Sequence, residues 1–281
     1  MIKNKSKIEL FDIKLDNLPK NQVLENIFTL SEKKTPSYIT TTNVEFLMRS
    51  LKDPEFRKIL NSAALNLIDG HGVIWGYLLL NSWAPKFILF RDIYVVLQLV
   101  IYILFYPVIV RLFKKKYFIT PGADIVWDIA EKSVQERKSI YLLGNKNGLD
   151  PNAVEKASLE LQTKIYDLKI AGTHSFSGTD EESKNVVYTI KHSGADFVFC
   201  SLGSPSQEYW MHKYLSKSGA KVAIGVGGSL DFIAKVQNRA PKIIRLIGFE
   251  WLYRLIRQPK RIKRQKAILD FIIYIIKLKL T

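Results

Sequence analysis

The residue best suited to acid–base chemistry is Asp69, which lies between an apolar run at 65–68 and the tripeptide Gly70-His71-Gly72. A carboxylate that follows a buried strand stands at the ligand-binding edge of a sheet, and adjacent glycines let a substrate approach closely. An ionised carboxylate within reach of a hydroxyl group can remove its proton. We therefore predict that Asp69 is a general base for a sugar hydroxyl that attacks an activated donor. The alternative is an aspartate that only caps the following helix.

Four other polar side chains fall at comparable junctions between a strand and a helix. Thr41 and Asn43 end a second apolar run, where they either hydrogen-bond a sugar or pyrophosphate or serve as ordinary turn and N-cap residues. Gln207 and Glu208 open a helix after a third run. The carboxamide of Gln207 is suited to orienting sugar hydroxyls or a phosphate. The carboxylate of Glu208 is suited to a pair of ribose hydroxyls, or to the dipole of the first helical turn.

Glycine-rich turns follow several of the apolar runs. Backbone N–H groups at such turns and at helix N-termini favour negative charge, so a ligand linked to a nucleotide would bind there. The residues predicted to bind it from these turns are Gly144, Gly203, Ser204, Gly225, Gly227 and Gly228.

Short strands that alternate with helices would position these residues. Apolar runs that end in polar or glycine residues occur at 38–42, 65–68, 140–143, 195–202 and 222–224. Stretches of helical period lie between them, at 54–64, 124–134, 151–162, 181–192 and 207–218. This pattern predicts a Rossmann-like α/β domain over residues 1–245, with a mostly parallel sheet and helices on both faces.

The formal net charge of +16 indicates an anionic partner. From residue 254 onward nine Lys or Arg residues accompany one acid, Asp270, and aliphatic residues are interleaved with them. Aliphatic side chains insert among lipid tails, so residues 246–281 are predicted to form a basic amphipathic appendage on an anionic membrane surface. The alternative is a helix packed on the core with a solvated basic face. Guanidinium groups bind phosphate oxygens bidentately, and the candidates for diphosphate contacts are Arg239, Arg254, Arg257 and Arg261.

The most apolar segment, at about 85–116, interrupts the α/β pattern. Its central part, 93–110, contains Gln98 as its one strongly polar residue, and this length is the lower limit for crossing a bilayer. A single crossing would place Asp69 and Gly203 on opposite sides of the membrane and divide one sheet. We therefore expect a re-entrant or in-plane helical hairpin, kinked near Pro107, that inserts into one leaflet. The alternatives are a span paired with another apolar segment, and a buried helix or oligomer contact.

Cysteine and histidine usage excludes two kinds of site. The single Cys200 lies in a predicted core strand, which rules out an internal disulfide and favours a reducing compartment. The four histidines are scattered, so neither a metal site nor a cofactor is predicted. The basic start of the chain lacks the features of a signal peptide, and we expect the protein at the cytoplasmic face of the cell membrane.

The motifs together resemble the WecG/TagA/CpsF family of bacterial glycosyltransferases over most of the chain. The resemblance rests on Thr41-Thr42-Asn43, Asp69-Gly70-His71-Gly72-Val73, Thr120-Pro121-Gly122-Ala123-Asp124, Tyr141-Leu142-Leu143-Gly144, the run from Leu202 to Glu208, Gly225-Val226-Gly227-Gly228 with Asp231-Phe232, Arg239-Ala240-Pro241, and Glu250-Trp251-Leu252-Tyr253-Arg254-Leu255 with Pro259 and Arg261.

The resemblance implies a Rossmann-like enzyme that moves a sugar, typically of the N-acetylmannosamine type, from a UDP-sugar to a sugar on polyprenyl diphosphate. Such transfer serves the synthesis of teichoic acid, common antigen, capsule or exopolysaccharide, inverts the anomeric centre and needs no metal. By the same resemblance Asp69 is the base, Thr41, Asn43 and Gln207 line the active site, and Asp231 belongs to the nucleotide-sugar site. The C-terminal appendage would cover the site and bind the lipid diphosphate.

The chain departs from the family pattern at two places. Phe118 stands where the family usually has an arginine before the Thr-Pro-Gly-Ala-Asp motif, and Arg91 or the lysines at 114–116 are possible substitutes. The stretch between Asp69 and Asp124 is longer than expected, and the excess is the apolar segment.

Two other functions compete with this reading. A catalytically idle membrane-bound scaffold would tolerate the loss of the arginine and also an Asp69→Asn change. A nucleic-acid-binding protein would explain the net charge, but no nucleic-acid motif is present. The apolar additions also favour self-association, so a homo-oligomer is expected among the partners.

Overall fold

The computed structural model describes residues 6–85, 88–112, 117–257 and 262–281, and within these ranges the chain forms one mixed sheet of eight strands. The strands are β1 (Lys7–Leu10), β2 (Ile13–Asp16), β3 (Ser37–Thr42), β4 (Leu65–Ile68), β5 (Ile140–Asn145), β6 (Ile170–Phe176), β7 (Phe197–Ser201) and β8 (Val222–Gly225).

The strands are arranged in the order β1-β2-β4-β3-β8-β7-β5-β6. Only the β1–β2 pair is antiparallel, with Leu10 opposite Ile13 across a two-residue turn. The other neighbouring strands are parallel, so β3, β4, β5, β7 and β8 all end at the same edge of the sheet. Parallel strands need crossover connections, and the helices between the strands provide them.

The helices up to the apolar segment are α1 (Lys20–Ser31), α2 (Val44–Ser50), α3 (Pro54–Ser62), α4 (His71–Leu80) and α5 (Ile88–Leu112). Those that follow are α6 (Gly122–Gln135), α7 (Ala153–Lys164), α8 (Asp180–Ser193), α9 (Ser206–Ser218), α10 (Ser229–Ile233), α11 (Lys242–Leu246), α12 (Glu250–Arg257) and α13 (Ile262–Leu280).

Helices cover both faces of the sheet, because the central strands are apolar on both sides. In β7, Phe197 and Phe199 point to the face covered by α1, α6, α7 and α10. Val198 and Cys200 point to the opposite face, which packs on α8 and α9. The prediction of a mostly parallel α/β sheet is therefore confirmed, as are the strands and helices that were expected from the apolar runs.

The apolar segment forms one continuous helix, α5, rather than the predicted hairpin. Val95 and Leu99 are buried against α4 and α13, which fixes one side of α5 to the protein. Among the described residues, no helix has the length and apolar character that crossing a membrane requires. Much of α5 outside this contact is apolar and exposed: Phe90, Ile93, Tyr94, Val96, Leu97, Val100, Ile101, Leu104 and Phe105.

The last helix, α13, packs into the body of the protein. Phe271 and Ile275 are fully buried with residues of α2, α4 and α5. A Cβ atom added at Gly76 of α4 would overlap the Phe271 ring, so the glycine allows the two helices to touch. The Lys279 ammonium donates to the carbonyl of Leu80 at 3.3 Å, which joins the last turn of α13 to the end of α4. The described part of α13 therefore matches the alternative of a C-terminal helix packed on the core. The domain boundary near residue 246 stays a prediction.

Candidate active site

A cavity of about 1090 Å³ lies where the parallel strands β3, β4, β5, β7 and β8 end, and α12 and α13 form its outer wall. Ligands of open α/β sheets bind at this edge, because the loops between strands and helices converge there. Of the predicted site residues, the cavity is lined by Thr41, Asn43, Asp69, Gly144, Gly203, Ser204, Gln207, Gly227, Gly228, Asp231, Arg239 and Arg254. The fold thus brings together residues that are up to 213 positions apart in the chain, Thr41 and Arg254 being the extremes.

Asp69 lies directly after β4, and its carboxylate is not used to cap α4. The N-cap residue of α4 is Gly70, whose φ of 102° is a conformation that favours glycine, and no side chain caps this helix. The Asp69 backbone is fixed by an N–H bond of 2.9 Å to the carbonyl of Thr42. The side chain is half-buried and lines the cavity. The alternative of a purely capping aspartate is therefore wrong.

Burial raises the pKa of Asp69 from its ordinary value of 3.8 to about 6. Arg254 and Arg239 oppose this effect, whereas the carboxylates of Glu250 and Asp124 add to it. A carboxylate with this pKa is ionised at pH 7 and holds a proton more tightly than an ordinary aspartate. Nearby, burial lowers the pKa of His71 to about 4, so this imidazole is neutral.

Thr41 and Asn43 each combine a structural bond with a place in the cavity wall. The Thr41 hydroxyl donates to the carbonyl of Gly225 at 2.8 Å, so its oxygen lone pairs remain for a ligand. The Asn43 carbonyl oxygen caps α2 by accepting from the N–H groups of Glu45 and Phe46 at 2.9 and 3.3 Å. The expected N-cap role of Asn43 is confirmed, and only its amide NH₂ can serve a ligand.

Gln207 and Glu208 form a buried pair behind the glycine turns. The Gln207 amide donates to Glu208 Oε1 at 2.5 Å, and its carbonyl oxygen accepts from the N–H of Gly227 at 3.0 Å. Glu208 is fully buried and does not line the cavity, so the structure contradicts its predicted contact with ribose hydroxyls. Burial raises the pKa of Glu208 to about 7. Its place in the fold is to hold Gln207, and through it the turn at Gly227.

Gly225 also departs from its predicted role, because it does not line the cavity. A Cβ atom at this position would lie 2.8 Å from the Gln207 amide nitrogen and 3.0 Å from the end of Met211. The absence of a side chain at Gly225 therefore makes room for Gln207 rather than for a ligand.

The arginines of the C-terminal region meet acidic partners at the cavity rim. Arg239 forms a two-pronged ion pair with Asp124, and its Nη2 to Oδ2 distance is 3.0 Å. Arg245 Nη1 lies 3.7 Å from the same carboxylate. Arg254 pairs with Glu250 one helical turn away, and its guanidinium lies 4.9 Å from the centre of the Phe232 ring. The rim therefore holds several cations whose geometry is fixed by ion pairs and by an aromatic ring.

Other predicted cations are not brought to the cavity. Arg257 stacks on Tyr253, 5.7 Å from the ring centre, and is exposed outside the cavity. Arg91 pairs with Asp92 and does not line the cavity either. Arg261 and the lysines at 114–116 lie outside the described residues. The cations that sequence reasoning missed are Lys242 and Arg245, although their position just after Arg239-Ala240-Pro241 was a usable signal.

No group of three His, Cys, Asp or Glu side chains suited to a metal ion occurs among the residues that the structure describes. The cavity offers instead a half-buried carboxylate, backbone N–H groups at glycine turns, and arginines held at its rim. A sheet of this topology with such a cavity is typical of an α/β enzyme that binds anionic, nucleotide-linked ligands.

Comparison with known proteins identifies the family. The profile of the glycosyl transferase WecG/TagA/CpsF family matches residues 8–92 and 108–281, and the chain belongs to this family. It is 27% identical over 278 residues to the N-acetylglucosaminyldiphosphoundecaprenol N-acetyl-beta-D-mannosaminyltransferases of Staphylococcus aureus strains MW2 and NCTC 8325 / PS 47. Each alignment covers 98% of this chain and 94% of the relative. The internal gap in the match, residues 93–107, lies within α5 and agrees with the predicted excess length.

Proposed function

We propose that this protein transfers a sugar of the N-acetylmannosamine type from a UDP-sugar to a sugar linked to polyprenyl diphosphate. The observation that carries the proposal is Asp69, a carboxylate of raised pKa in a cavity with arginines at its rim. The full-length similarity to transferases with N-acetylglucosaminyldiphosphoundecaprenol in their name supports the lipid-linked acceptor.

The reaction follows from the positions of these groups. Asp69 takes the proton of the acceptor hydroxyl, and the hydroxyl oxygen attacks the anomeric carbon of the donor. The bond between that carbon and the UDP oxygen breaks, and UDP leaves with the bonding electrons. One displacement of this kind inverts the anomeric configuration. The turns at Gly203 and Gly228 offer backbone N–H groups for the charge that develops on the leaving diphosphate, whereas the N–H of Gly227 is bonded to Gln207.

In this proposal, different arginines at the rim bind the diphosphates of the donor and of the acceptor. Arg239 is held by Asp124 beside the glycine turn at 227–228, which suits the donor diphosphate. Arg254 lies on α12 in the outer wall, which suits the diphosphate of the acceptor. The basic residues after 254 and the exposed apolar side chains of α5 support attachment to the cytoplasmic face of an anionic membrane.

Sugar transfer from a panel of UDP-sugars to polyprenyl-diphosphate-linked N-acetylglucosamine tests the proposal. Wild type is expected to form a lipid-linked disaccharide with at least one donor, and Asp69→Asn is expected to form almost none. Asp167→Asn, in an exposed loop, is the matched control and should keep wild-type activity. Equal activity of Asp69→Asn and wild type would refute the role of the base.

Attachment to membranes is tested separately with vesicles. The change of Leu97, Ile101 and Leu104 to Ser removes apolar surface from the exposed side of α5 and should weaken sedimentation with vesicles of anionic phospholipid. The control is Leu159→Ser, which changes an exposed residue of α7. Undiminished sedimentation of the triple variant would show that α5 does not contact the membrane.

A further inference from the structure

The cavity has a second end whose chemistry differs from that of the sugar site. Its wall there consists of Trp75 of α4, Leu99 of α5, and Phe271 and Ile275 of α13. These side chains belong to the apolar core cluster that joins α4, α5 and α13, so the lining at this end of the cavity is apolar and held in place by packing. The indole N–H of Trp75 finds no acceptor within the described part of the chain. The cavity volume of about 1090 Å³ exceeds the usual range for one small ligand, roughly 300–1,000 Å³.

The helix α5 carries apolar residues both at this end of the cavity and on the outer surface of the protein. Leu99 faces the cavity, while Val96, Val100 and Leu104 on the same helix are exposed. Partly buried apolar residues of α5 and α13, among them Ile103 and Ile272, lie between the two surfaces. The residues named here on α5 and α13 are all uncharged, so the contact between the two helices, which we call the seam, is apolar from Leu99 to the exposed side of α5.

We propose that the apolar end of the cavity is a subsite for the first isoprene units of the lipid acceptor. The seam between α5 and α13 would lead the remaining chain to the exposed face of α5. This inference rests on the proposed function and adds that α5 contacts the prenyl chain of the acceptor. Residues 93–107 lie outside the family match, so Leu99 belongs to a part of α5 that the family profile does not cover.

In this proposal, three parts of the acceptor contact three parts of the cavity lining. The sugar hydroxyl must reach Asp69, the diphosphate then meets Arg254, and the prenyl chain follows toward Leu99 and Phe271. Burial of each methylene group contributes to binding, so an acceptor with a prenyl chain should bind more tightly than one without. A subsite inside the protein would also fix the register of the sugar relative to Asp69.

Kinetics with two acceptors test the subsite. One is N-acetylglucosamine diphosphate with a polyprenyl chain, and the other has a methyl group in place of the chain. Leu99→Phe adds bulk at the cavity wall and should raise KM for the prenyl acceptor about tenfold, the effect of losing roughly two buried methylene groups. KM for the methyl acceptor and for the donor should not change. Leu159→Phe, on the exposed side of α7, is the control.

Photolabelling of wild type tests the subsite even if Leu99→Phe does not fold or no transfer is detected. The probe is a farnesyl diphosphate with a diazirine at the end of its chain, competed by excess unlabelled polyprenyl diphosphate. Labels are expected in the tryptic peptides 92–111 and 267–277, which contain Leu99 and Ile275.

The outcomes separate the subsite from the transfer reaction. If Leu99→Phe changed KM equally for both acceptors, or changed it for neither, the subsite would be overturned. Transfer by wild type in the same assay would still support the proposed function. If wild type transferred sugar to neither acceptor, the proposed function would be refuted. Photolabels found only outside the two peptides would overturn the subsite, whatever the result of the transfer assay.

Discussion

Replacing Asp69 with Asn should abolish most activity and stabilise the protein at the same time. The pKa of Asp69 is about 6 in the folded protein and 3.8 ordinarily. Because the folded-state pKa is raised, the ionised carboxylate is disfavoured in the folded protein relative to the unfolded chain. The penalty is absent below about pH 4, grows as the pH rises from 4 to 6, and is complete above pH 6. Its full size is about 3 kcal/mol.

Urea denaturation at pH 4 and pH 7.5 measures this effect. Asn has nearly the same size as Asp but carries no charge, so Asp69→Asn should raise the free energy of unfolding at pH 7.5 by up to about 3 kcal/mol and change it little at pH 4. The control Asp167→Asn is exposed and has a φ of 61°, which Asn also adopts readily, so it should show no such pH dependence.

Activity should change in the opposite direction. Loss of a general base reduces kcat about 100- to 10,000-fold. For wild type, kcat/KM should fall as the pH drops through about 6, because protonated Asp69 cannot accept the hydroxyl proton. A variant that is both less active and less stable at pH 7.5 would refute the reasoning, since the activity loss would then reflect damage to the fold.

Three further predictions concern residues that support the site. Burial raises the pKa of Glu208 to about 7, so Glu208→Gln should raise the free energy of unfolding at pH 8 by up to about 3 kcal/mol. This difference from wild type should disappear as the pH falls toward 4.5. Equal urea midpoints at pH 8 would contradict this prediction. Gly76→Ala should lower the urea midpoint by the equivalent of roughly 1–3 kcal/mol, because the methyl group overlaps Phe271; an unchanged midpoint would show that α13 does not dock on α4. Asp124→Asn should lower kcat/KM for the donor about tenfold, because Arg239 loses a charged, two-pronged partner; unchanged donor kinetics would show that this pair does not position the arginine.

The sequence was sufficient to predict the sheet and the edge that carries the site. Apolar runs that end in glycine or polar residues mark the parallel strands, and Asp69, Asn43 and Gly203 follow such runs. The hairpin of β1 and β2 was missed although Ile8, Leu10, Ile13 and Leu15 alternate with polar residues. Its turn, at residues 11–12, contains none of the glycine that usually marks a tight hairpin.

The direction of individual side chains could not be predicted. Gln207 and Glu208 are adjacent, yet successive residues of a helix point about 100° apart, and only Gln207 reaches the cavity. Arg254 and Arg257 are nearly one helical turn apart on α12. Arg254 contacts the Phe232 ring and lines the cavity, whereas Arg257 contacts the Tyr253 ring and lies outside the cavity. The docking of α13 depends on the fit of Phe271 against Gly76, a contact between distant residues that neither local pattern contains.

The most direct test of the account is the formation of a lipid-linked disaccharide from UDP-N-acetylmannosamine and polyprenyl-diphosphate-linked N-acetylglucosamine, with wild type and Asp69→Asn assayed side by side. Wild type is expected to form the product with inverted anomeric configuration, and the folded variant is expected to have at least 100-fold lower activity. Equal product from both proteins, or retained configuration, would contradict the assignment of Asp69 as the base of a single displacement.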